Sequence, residues 1–389
     1  MSREPIHIKG EIGRMSGLEV QGLVKHNGEK LVVDAVSMHV KERELLVLMG
    51  PASSGKSTVL RLICGLEIPD SGCIKLDGRD ITHIPAHQRN MGAILRDLGL
   101  YPHLNVFDNI AFGLRNQRMQ AAEIEMRTTS VAHMLSLNDV LKRPVTGLTG
   151  EEKQRVILAR SLVKNSDAYL FDEPLADVEP NLRYQARREI LMAHRIAQKP
   201  GVYIAHDQTD AFALSSRIAV MNEGKIQQIG TQDELVHQPA NIFVAQFVGI
   251  PPMNLLQGYL QRLTNCYRIL AGDLFPMLST QWNYILGHYG QPEIVLGIRP
   301  DSIVPEWAVD QRQNRPYYVL RAQVKDMEML ARRAVVQLSP GGKSMLTAVF
   351  SRPEADRIRI GQVIVVGIDV EQICLFDVFT RQALYHSPT

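Results

Sequence analysis

The segment Gly50-Pro51-Ala52-Ser53-Ser54-Gly55-Lys56-Ser57 constrains the fold more than any other part of this sequence. It matches the phosphate-loop pattern G-x-x-x-x-G-K-[ST], in which backbone N–H groups surround the phosphates of a nucleotide. An apolar run, Leu45–Met49, precedes the loop, and apolar residues at helical spacing follow it up to Leu66. The order of strand, loop and helix matters, because the positive end of the helix must face the bound anion. The segment therefore predicts a nucleotide site in an α/β fold.

Individual residues of the loop have predicted roles in binding ATP and Mg²⁺. Lys56 is placed to reach the β- and γ-phosphates, and the hydroxyl of Ser57 suits the shell of a Mg²⁺ ion. Thr58 completes the predicted ATP-binding set, which runs from Gly50 to Thr58. A turn rich in Gly and Ser can match the pattern by chance, but the flanking strand and helix favour nucleotide binding.

Two further strand-like runs end in polar side chains suited to catalysis. The apolar run from Ala168 ends at Asp172 and Glu173, where Asp172 suits the Mg²⁺ shell and Glu173 is placed to polarise an attacking water. The run from Val202 ends before His206, whose imidazole could hydrogen-bond the γ-phosphate. Strands often stop at an acidic turn, and a lone histidine there is more often a polar cap, so both assignments depend on the phosphate loop.

The hydrophobic pattern changes after Gly249 and predicts two domains. From Leu18 to Gly249, short apolar runs alternate with helical patterns, which is typical of an α/β domain. Beyond Ile250-Pro251-Pro252, runs rich in β-branched residues are separated by Gly, Pro and Asp, which indicates a small all-β module over residues 250–389. Residues 1–17 form a predicted polar N-terminal extension.

Composition argues against several other classes of protein. The 389 residues include 43 Lys plus Arg and 41 Asp plus Glu, whereas nucleic-acid binders usually carry a strong basic excess. Arg183, Arg187, Arg188 and Arg195 are interpreted as a solvated helix face. The longest apolar runs fall far short of the roughly 18–20 residues that cross a bilayer, and the N-terminus has no signal-peptide core. The four cysteines are too widely spaced for a Cys-x-x-Cys pair, which favours reduced thiols in a cytoplasmic protein.

Several short strings, in order along nearly the whole chain, resemble the ATP-binding cassette (ABC) family, specifically the ATPase subunits of sugar importers of the maltose and glycerol-3-phosphate type. Beyond the phosphate loop, these strings are Leu100-Tyr101-Pro102-His103-Leu104, Asn109-Ile110-Ala111-Phe112-Gly113-Leu114, Gln154-Arg155-Val156, Asp172-Glu173-Pro174-Leu175, His206-Asp207-Gln208, Arg217-Ile218-Ala219-Val220-Met221, Phe243-Val244-Ala245, Met253-Asn254-Leu255-Leu256 and Gly297-Ile298-Arg299-Pro300.

The resemblance implies a P-loop ABC cassette, with a mixed-sheet core and a helical subdomain at about residues 97–160, followed by a regulatory domain similar to oligonucleotide-binding (OB) folds. It also implies that two cassettes sandwich ATP, and that their closure drives transmembrane permease subunits, with a solute-binding protein as an indirect partner. The chain would lie at the cytoplasmic face of the membrane, with Tyr101 to Leu104 near a coupling helix of the permease. Import of a sugar or polyol is implied by the resemblance alone, and no nucleic-acid partner is implied.

The signature motif of this family is usually L-S-G-G-Q, whereas the matching stretch here is Leu148-Thr149-Gly150-Glu151-Glu152. Thr149 keeps the hydroxyl, but Glu151 replaces a glycine where the γ-phosphate of a neighbouring subunit should approach the backbone. Two like charges about 4 Å apart at an effective dielectric near 20 repel by about 4 kcal/mol, an upper value because the acidic pair can turn to solvent. We expect Glu151 to weaken the composite site.

Other positions depart from the family pattern as well. Arg96 stands where the family has a glutamine that senses Mg²⁺ and the attacking water, and arginine cannot coordinate a metal. Asn27 stands at the adenine-stacking position, where an aromatic residue is expected and His26 is the available substitute. Glu179 closes a turn that differs from the usual S-x-L-D, and Ser53 replaces a customary glycine. Neutral drift in a working ATPase is the alternative explanation of such changes.

These departures predict that the chain pairs with a second, more orthodox ATPase subunit, because a homodimer would combine the flaws at both composite sites. A homodimer is the alternative assembly. The predicted reaction is in-line attack of water on the γ-phosphate, with Glu173 as general base and His206 holding the phosphate. The rival function is an ATP-binding switch or scaffold that hydrolyses little, as Arg96, Glu151 and Glu152 suggest.

Overall fold

The computed structural model describes residues 17–95, 99–117, 119–176, 178–309, 316–342 and 344–384. The chain divides into two compact units, of which the first ends at Ile229 and the second begins at Gly230. Each unit has its own hydrophobic core.

The first unit contains a four-stranded antiparallel sheet in the order β2-β1-β4-β5. Its strands are β1 (Gly17–Asn27), β2 (Lys30–Lys41), β4 (Ser71–Leu76) and β5 (Arg79–Asp80). The long β1–β2 pairing ends in a hairpin at Asn27 and Lys30. This hairpin extends to the edge of the predicted nucleotide site.

A second sheet of the same unit has six strands in the order β10-β9-β3-β8-β7-β6. The strands are β3 (Leu45–Met49), β6 (Met91–Ile94), β7 (Ala168–Asp172), β8 (Gly201–Ile204), β9 (Arg217–Asn222) and β10 (Lys225–Gly230). Strand β8 pairs in parallel with β3 and β7, and β3 also pairs in parallel with β9. The three central strands are buried along their whole length, which explains their continuous apolar sequences. Their carboxyl ends therefore meet at one edge of the sheet.

The helices of the first unit connect these strands. They are α1 (Lys56–Cys64), α2 (Val106–Asn116), α3 (Ala121–Met134), α4 (Gly150–Leu162), α5 (Pro180–Ala197) and α6 (Gln208–Leu214). The stretch from 97 to 160, predicted as a helical subdomain, contains α2, α3 and most of α4. Together with the two sheets, this arrangement confirms the predicted α/β class.

The second unit is built mainly of antiparallel strands, which confirms the predicted β region. One sheet has the order β12-β11-β13-β19-β20 and the other β14-β18-β15-β16-β17, where the strands are β11 (Asn254–Arg262), β12 (Tyr267–Leu270), β13 (Glu293–Ile298), β14 (Ile303–Pro305), β15 (Tyr317–Met329), β16 (Arg333–Gly341), β17 (Ser344–Ser351), β18 (Val363–Asp369), β19 (Cys374–Asp377) and β20 (Ala383–Leu384). Both sheets contribute to one apolar core. Four short helices accompany the described strands: α7 (Gln232–His237), α8 (Ile242–Phe247), α9 (Asn283–Tyr289) and α10 (Arg352–Ala355).

The division between the units differs from the predicted boundary at Gly249. Helices α7 and α8 fall in the second unit, where the buried Arg299, the residue after β13, bonds the carbonyl groups of both. Its Nε donates to the carbonyl of Val236 at 2.7 Å, and its Nη1 donates to that of Ala245 at 3.0 Å. These hydrogen bonds join residues more than fifty positions apart along the chain, so no local sequence pattern indicates them.

Two further expectations concern the membrane and the cysteines. Within the described residues, none of the helices combines the length and the apolar character needed to cross a bilayer. Cys64, Cys73, Cys266 and Cys374 are free thiols, and the expected reduced state stays a prediction.

Candidate nucleotide site

The phosphate loop connects β3 to α1 and has the shape that its glycines permit. Gly55, the residue before α1, has a φ of 100°, and a Cβ atom there would lie 2.5 Å from the carbonyl oxygen of Val32. A Cβ atom at Gly50 would lie 2.1 Å from the carbonyl oxygen of Met221. Ser53 has a φ of 62° although it is not a glycine. The loop thus fits closely between β2 and β9, and only glycine is accommodated at positions 50 and 55.

A cavity of about 630 Å³ opens at this loop and gathers most of the predicted ATP-binding residues. It is lined by residues 52–58, by Glu173, and by Asn27 and Lys30 of the β1–β2 hairpin. Gly50 and Pro51 do not line the cavity, but their carbonyl groups accept hydrogen bonds from Lys56, which does. The size of the cavity is in the range of small-molecule sites.

Lys56 begins α1, and its ammonium group lies beneath the loop. Nζ donates to the carbonyl oxygens of Gly50 and Pro51 at 2.9 and 2.8 Å, and to Oγ of Ser54 at 3.2 Å. Burial lowers the pKa of Lys56, while the negative charges of Glu173 and Asp172 act in the opposite direction. A phosphate would offer this ammonium group a charged acceptor, and charge-assisted hydrogen bonds are roughly twice as strong as neutral ones.

Ser57 and Asp172 supply oxygen atoms of the kind that Mg²⁺ prefers. The hydroxyl of Ser57 donates to Oδ1 of Asp172, the last residue of β7, at 3.1 Å. Neighbouring ligands of an octahedral Mg²⁺ at 2.0–2.1 Å lie about 2.9 Å apart, so this pair fits two adjacent positions. Mg²⁺ usually takes its other ligands from water and nucleotide phosphates, which suits a site with two protein oxygens.

Glu173 and His206 follow the carboxyl ends of β7 and β8, which are neighbours in the sheet. Glu173 lines the cavity, and its backbone N–H donates to the carbonyl of Ile204 at 3.2 Å. The φ of Glu173 is 47°, a left-handed conformation that costs a non-glycine residue free energy and is common at functional sites. His206 lies two positions beyond Ile204 and is exposed. Both predicted catalytic residues therefore lie at the edge of the sheet where the phosphate loop begins.

The turn after Glu173 is held by residues to which the sequence assigned no role in the site. Nε2 of Gln154 on α4 donates to the carbonyl of Pro174 at 2.7 Å. Arg183 on α5 bonds the carbonyl of Val178 at 3.0 Å and the carboxylate of Asp207, the residue after His206, at 3.2 Å. Arg183 thus connects the segments that follow the two predicted catalytic residues.

The interpretation of the α5 arginines as a solvated face is wrong for two of them. Besides the Arg183–Asp207 pair, Arg187 pairs with Asp210 of α6 at 2.8 Å, and Asp210 is only 2% exposed. These partners belong to another helix, so the spacing of the arginines along α5 gave no sign of them.

The stretch predicted as an altered signature motif begins α4 with a regular cap. Thr149 is the N-cap residue: its Oγ1 accepts from the N–H of Glu152 at 3.2 Å, while Oε2 of Glu152 accepts from the N–H of Thr149 at 2.8 Å. This is the reciprocal capping box, and the hydrogen bond from the Thr149 backbone lowers the pKa of Glu152. Thr149 and Glu152 therefore form a regular start to the helix.

Glu151 directs its carboxylate along α4 and towards α5. It accepts from Nη2 of Arg155 one turn further on, and from Nε2 of Gln185 at 3.1 Å. Nε of Arg155 also donates to Glu189 at 2.9 Å. We call Glu151, Arg155, Gln185 and Glu189 the signature cluster. The carboxylate of Glu151, which was predicted to face a neighbouring phosphate, is therefore paired within this chain. The i, i+4 spacing of Glu151 and Arg155 is the sequence signal that indicates this pair.

The remaining departures occupy different surroundings. Asn27 lines the cavity, whereas His26 is bonded to Asp70 through both its backbone N–H, at 2.6 Å, and its ring Nδ1, at 2.9 Å. Glu179 is exposed immediately before α5 and makes no capping bond there. Arg96 lies outside the described residues.

The segment from Tyr101 to Leu104 packs around a buried asparagine. Asn109 accepts from the N–H of Tyr101 at 2.8 Å and donates to the carbonyls of Tyr101 and Leu104. The ring of Tyr101 lies 4.5 Å from that of Phe112, and the guanidinium of Arg160 lies 5.3 Å from its centroid. These contacts give the exposed part of the segment a defined shape.

A family model described as ABC transporter matches residues 33–176. A Bacillus subtilis protein named "Uncharacterized ABC transporter ATP-binding protein YurJ" is 34% identical, with 95% of this chain and 100% of that protein covered. The "Trehalose/maltose import ATP-binding protein MalK" of Thermococcus litoralis is also 34% identical, at the same coverage. A solved structure of a nucleotide-free ATP-binding cassette from an ABC transporter has a TM-score of 0.51 and 22% identity, covering 56% of this chain and 92% of its own, which shows similarity of fold.

Proposed function

The chain belongs to the ABC transporter family as an ATP-binding subunit, and we propose that it hydrolyses ATP to drive the import of a sugar, polyol or related small solute. The whole-chain relatives include proteins named for import of trehalose and maltose and of oligosaccharides. The observation that carries the proposal is that Lys56, Ser57 and Glu173 line one cavity, with Asp172 hydrogen-bonded to Ser57.

In the proposed reaction, each of these residues acts on a different part of the nucleotide. Lys56 and the loop N–H groups hold the β- and γ-phosphates, and Ser57 and Asp172 hold Mg²⁺, which, when bound, neutralises phosphate charge. Glu173 accepts a proton from the water that attacks the γ-phosphate, while His206 hydrogen-bonds the transferred group. Arg183 positions the turns that carry Glu173 and His206.

Substitution Glu173→Gln tests this assignment, with Glu125→Gln, at an exposed carboxylate of α3, as the control. Removing a general base costs about 10²–10⁴-fold in rate, so ATP hydrolysis should fall by at least 100-fold in Glu173→Gln. ATP affinity should be retained, because the phosphate contacts stay in place, and a nucleotide-bound dimer should accumulate. Glu125→Gln should hydrolyse ATP like the unmodified chain. Unchanged turnover in Glu173→Gln would exclude Glu173 as the base.

As for partners, we propose that the chain is peripheral to the cytoplasmic face of the membrane and contacts transmembrane permease subunits. The Tyr101–Leu104 segment, which is fixed by Asn109 and exposes Pro102 and His103, is the proposed contact with a permease. A solute-binding protein would then act through the permease. Crosslinking from position 103 to a co-expressed permease tests this contact, and an absence of crosslinks in the assembled transporter would contradict it.

We further propose that the second ATPase of the assembly is a different, more orthodox subunit. Glu151 occupies the signature position and Asn27 the base side of the cavity, so two copies of this chain would carry both departures at each site. A chain that mainly binds ATP and supports a competent partner is the second candidate function. Single-turnover ATP hydrolysis, measured with and without the second subunit, separates these two functions. If hydrolysis in the mixed dimer requires Glu173 of this chain, the chain is itself an ATPase.

A further inference from the structure

The segment that carries His206 is fixed at both of its ends. On one side, the N–H of Ala205 donates to the carbonyl of Leu48 in β3 at 3.1 Å. On the other side, Asp207 is the N-cap residue of α6, and its Oδ1 accepts from the N–H of Asp210 at 2.8 Å. His206 itself is exposed between these two fixed residues. Its orientation towards a bound phosphate therefore depends on where α6 begins.

Two arginines of α5 hold the first turn of α6. Nη1 of Arg183 donates to Oδ2 of Asp207 at 3.2 Å. Nη1 of Arg187, one turn further along α5, donates to Oδ1 of Asp210 at 2.8 Å. Residues four apart lie on the same face of a helix, so the two bonds run side by side between α5 and α6. A shift of α6 along α5 would therefore break both ion pairs.

The Arg187–Asp210 pair is the more buried of the two. The side chain of Asp210 is 2% exposed and that of Arg187 is 16% exposed, whereas those of Arg183 and Asp207 are 26% and 36% exposed. Ion pairs in contact with water contribute little to stability, whereas a buried carboxylate that loses its partner is costly. The position of α6 therefore depends mainly on the Arg187–Asp210 pair.

We infer that Arg187 and Asp210 are positioning residues for ATP hydrolysis and that they act through His206. Arg187 holds the carboxylate of Asp210, whose N–H bonds the carboxylate of Asp207, the residue after His206. The inference rests on the proposed role of His206 as a hydrogen-bonding partner of the transferred phosphate. Neither Arg187 nor Asp210 is among the described residues that line the cavity. Loss of the pair should therefore change the orientation of His206 and leave the contacts of the phosphate loop intact.

The substitution Arg187→Met removes the ion pair and tests this role in the assembled transporter. Its kcat should fall by about 10-fold or more, because a small displacement of a catalytic group is costly. The KM for ATP should stay within about 3-fold, because Lys56 and the phosphate loop keep their contacts. Arg187→Lys, whose ammonium group can make the same bond, should keep kcat within about 3-fold of that of the unmodified chain. An unchanged kcat in Arg187→Met would contradict the inference.

The rate that remains in Glu173→Gln is subtracted from each measurement, so that only hydrolysis at this chain's own Glu173 is compared.

Combination with His206→Ala distinguishes a positioning role from a general loss of structure. His206→Ala alone should lower kcat by about 100-fold, the usual effect of removing one donor to a developing negative charge. Residues that act as a unit have effects that do not add, so a further Arg187→Met should lower kcat by less than about 2-fold. A loss by the same factor in both backgrounds would show that Arg187 acts independently of His206, which would overturn the inference.

The Arg217–Glu44 pair supplies a matched control at the opposite edge of the same sheet. Glu44 directly precedes β3, Arg217 begins β9, and the two side chains are 3.1 Å apart with the carboxylate 7% exposed. Arg217→Met should lower the midpoint of urea denaturation, because it also leaves a buried carboxylate without its partner. Its kcat per folded molecule should not change. A loss of kcat equal to that in Arg187→Met would show a general effect of buried ion pairs and exclude a specific role for Arg187.

If Arg187→Met does not fold, Arg187→Met combined with Asp210→Leu decides the question. Replacing both partners of a buried ion pair by apolar residues is often neutral for stability, so this variant should denature at the same urea concentration as the unmodified chain. Its kcat should still be about 10-fold lower, because an apolar contact does not fix the direction of α6 as a hydrogen bond does. Normal hydrolysis by this folded variant would refute the inference.

The outcomes also separate this inference from the proposed function. Should His206→Ala hydrolyse ATP at the normal rate, the proposed role of His206 fails and the inference fails with it. Should His206→Ala lose activity while Arg187→Met acts equally in both backgrounds, the inference alone fails and the ATPase proposal stands. Should the unmodified chain show no hydrolysis that depends on Glu173, both fail together.

Discussion

The phosphate loop and the N-terminal end of α4 belong to the same unit but keep their shapes in different ways. The loop is fixed by backbone, since its two flanking glycines touch the carbonyls of β2 and β9 and admit no Cβ atom. The start of α4 is fixed by side chains, namely the Thr149–Glu152 capping box and the signature cluster. The sequence keeps the family pattern at both glycines of the loop and departs from it at the start of α4.

The difference shows where a nucleotide-binding protein can change its residues. A loop that grips phosphate with backbone groups depends on conformation, so Gly50 and Gly55 cannot vary, whereas Ser53 can depart from glycine and accept a strained φ. A helix start that is capped by side chains tolerates threonine for serine and glutamate for glutamine. Glu151 is the exception, because it adds a charge, and the chain itself pairs that charge with Arg155.

The largest expected effect tests the loop side of this comparison. In Lys56→Ala, ATP affinity should fall by about 10- to 100-fold, because hydrogen bonds to charged groups contribute about 1.5–3 kcal/mol. Lys75→Ala, a half-buried lysine of β4 that does not line the cavity, is the control and should bind ATP normally. Calorimetry measures both. An unchanged affinity in Lys56→Ala would mean that backbone groups alone hold the phosphates.

A second prediction concerns Glu151 and separates its charge from its size. If the paired carboxylate still repels a neighbouring phosphate, Glu151→Gly should raise steady-state ATP hydrolysis of the assembled transporter by about 10-fold, which is well below the upper value for an unpaired charge. Glu151→Gln should give most of that gain if charge matters and little if size matters. Glu125→Ala, an exposed carboxylate on α3, should change nothing. A rate that stays the same in both Glu151 variants would show that pairing with Arg155 removes the cost.

The sequence predicted the parts of the site that are continuous along the chain. The loop, the end of β7 and the residues after β8 are each short strings, and the parallel sheet brings their carboxyl ends together. It did not predict contacts between distant segments: Glu151 and Gln185 lie 34 residues apart, and Arg187 finds its buried partner on α6. The contacts of Arg299 with α7 and α8 likewise join segments that are distant along the chain.

The smallest expected effect measures the strain in the loop. Ser53 has a φ of 62°, and a left-handed backbone costs an L-residue about 1–2 kcal/mol. Glycine removes this cost, but its greater entropy stabilises the unfolded chain by about 0.5–1 kcal/mol and offsets part of the gain. Ser53→Gly should therefore raise the free energy of unfolding by about 0.5 kcal/mol. Ser130→Gly within α3 should instead lower it, since glycine is a poor helix former. Urea denaturation measures both changes, and a loss of stability in Ser53→Gly would contradict the strain.

The contacts of Gly50 and Gly55 have a genetic consequence. The loop rests on the carbonyls of Met221 and Val32, and the N–H of Gly224 donates to the carbonyl of Ser54 at 3.1 Å. Residues of β2 and of the β9–β10 turn therefore set the shape of a phosphate site through their backbone. A screen for loss of transport should recover substitutions in β2 and β9. Second mutations that restore transport should arise in the other of these two strands, because they restore the conformation of the phosphate loop.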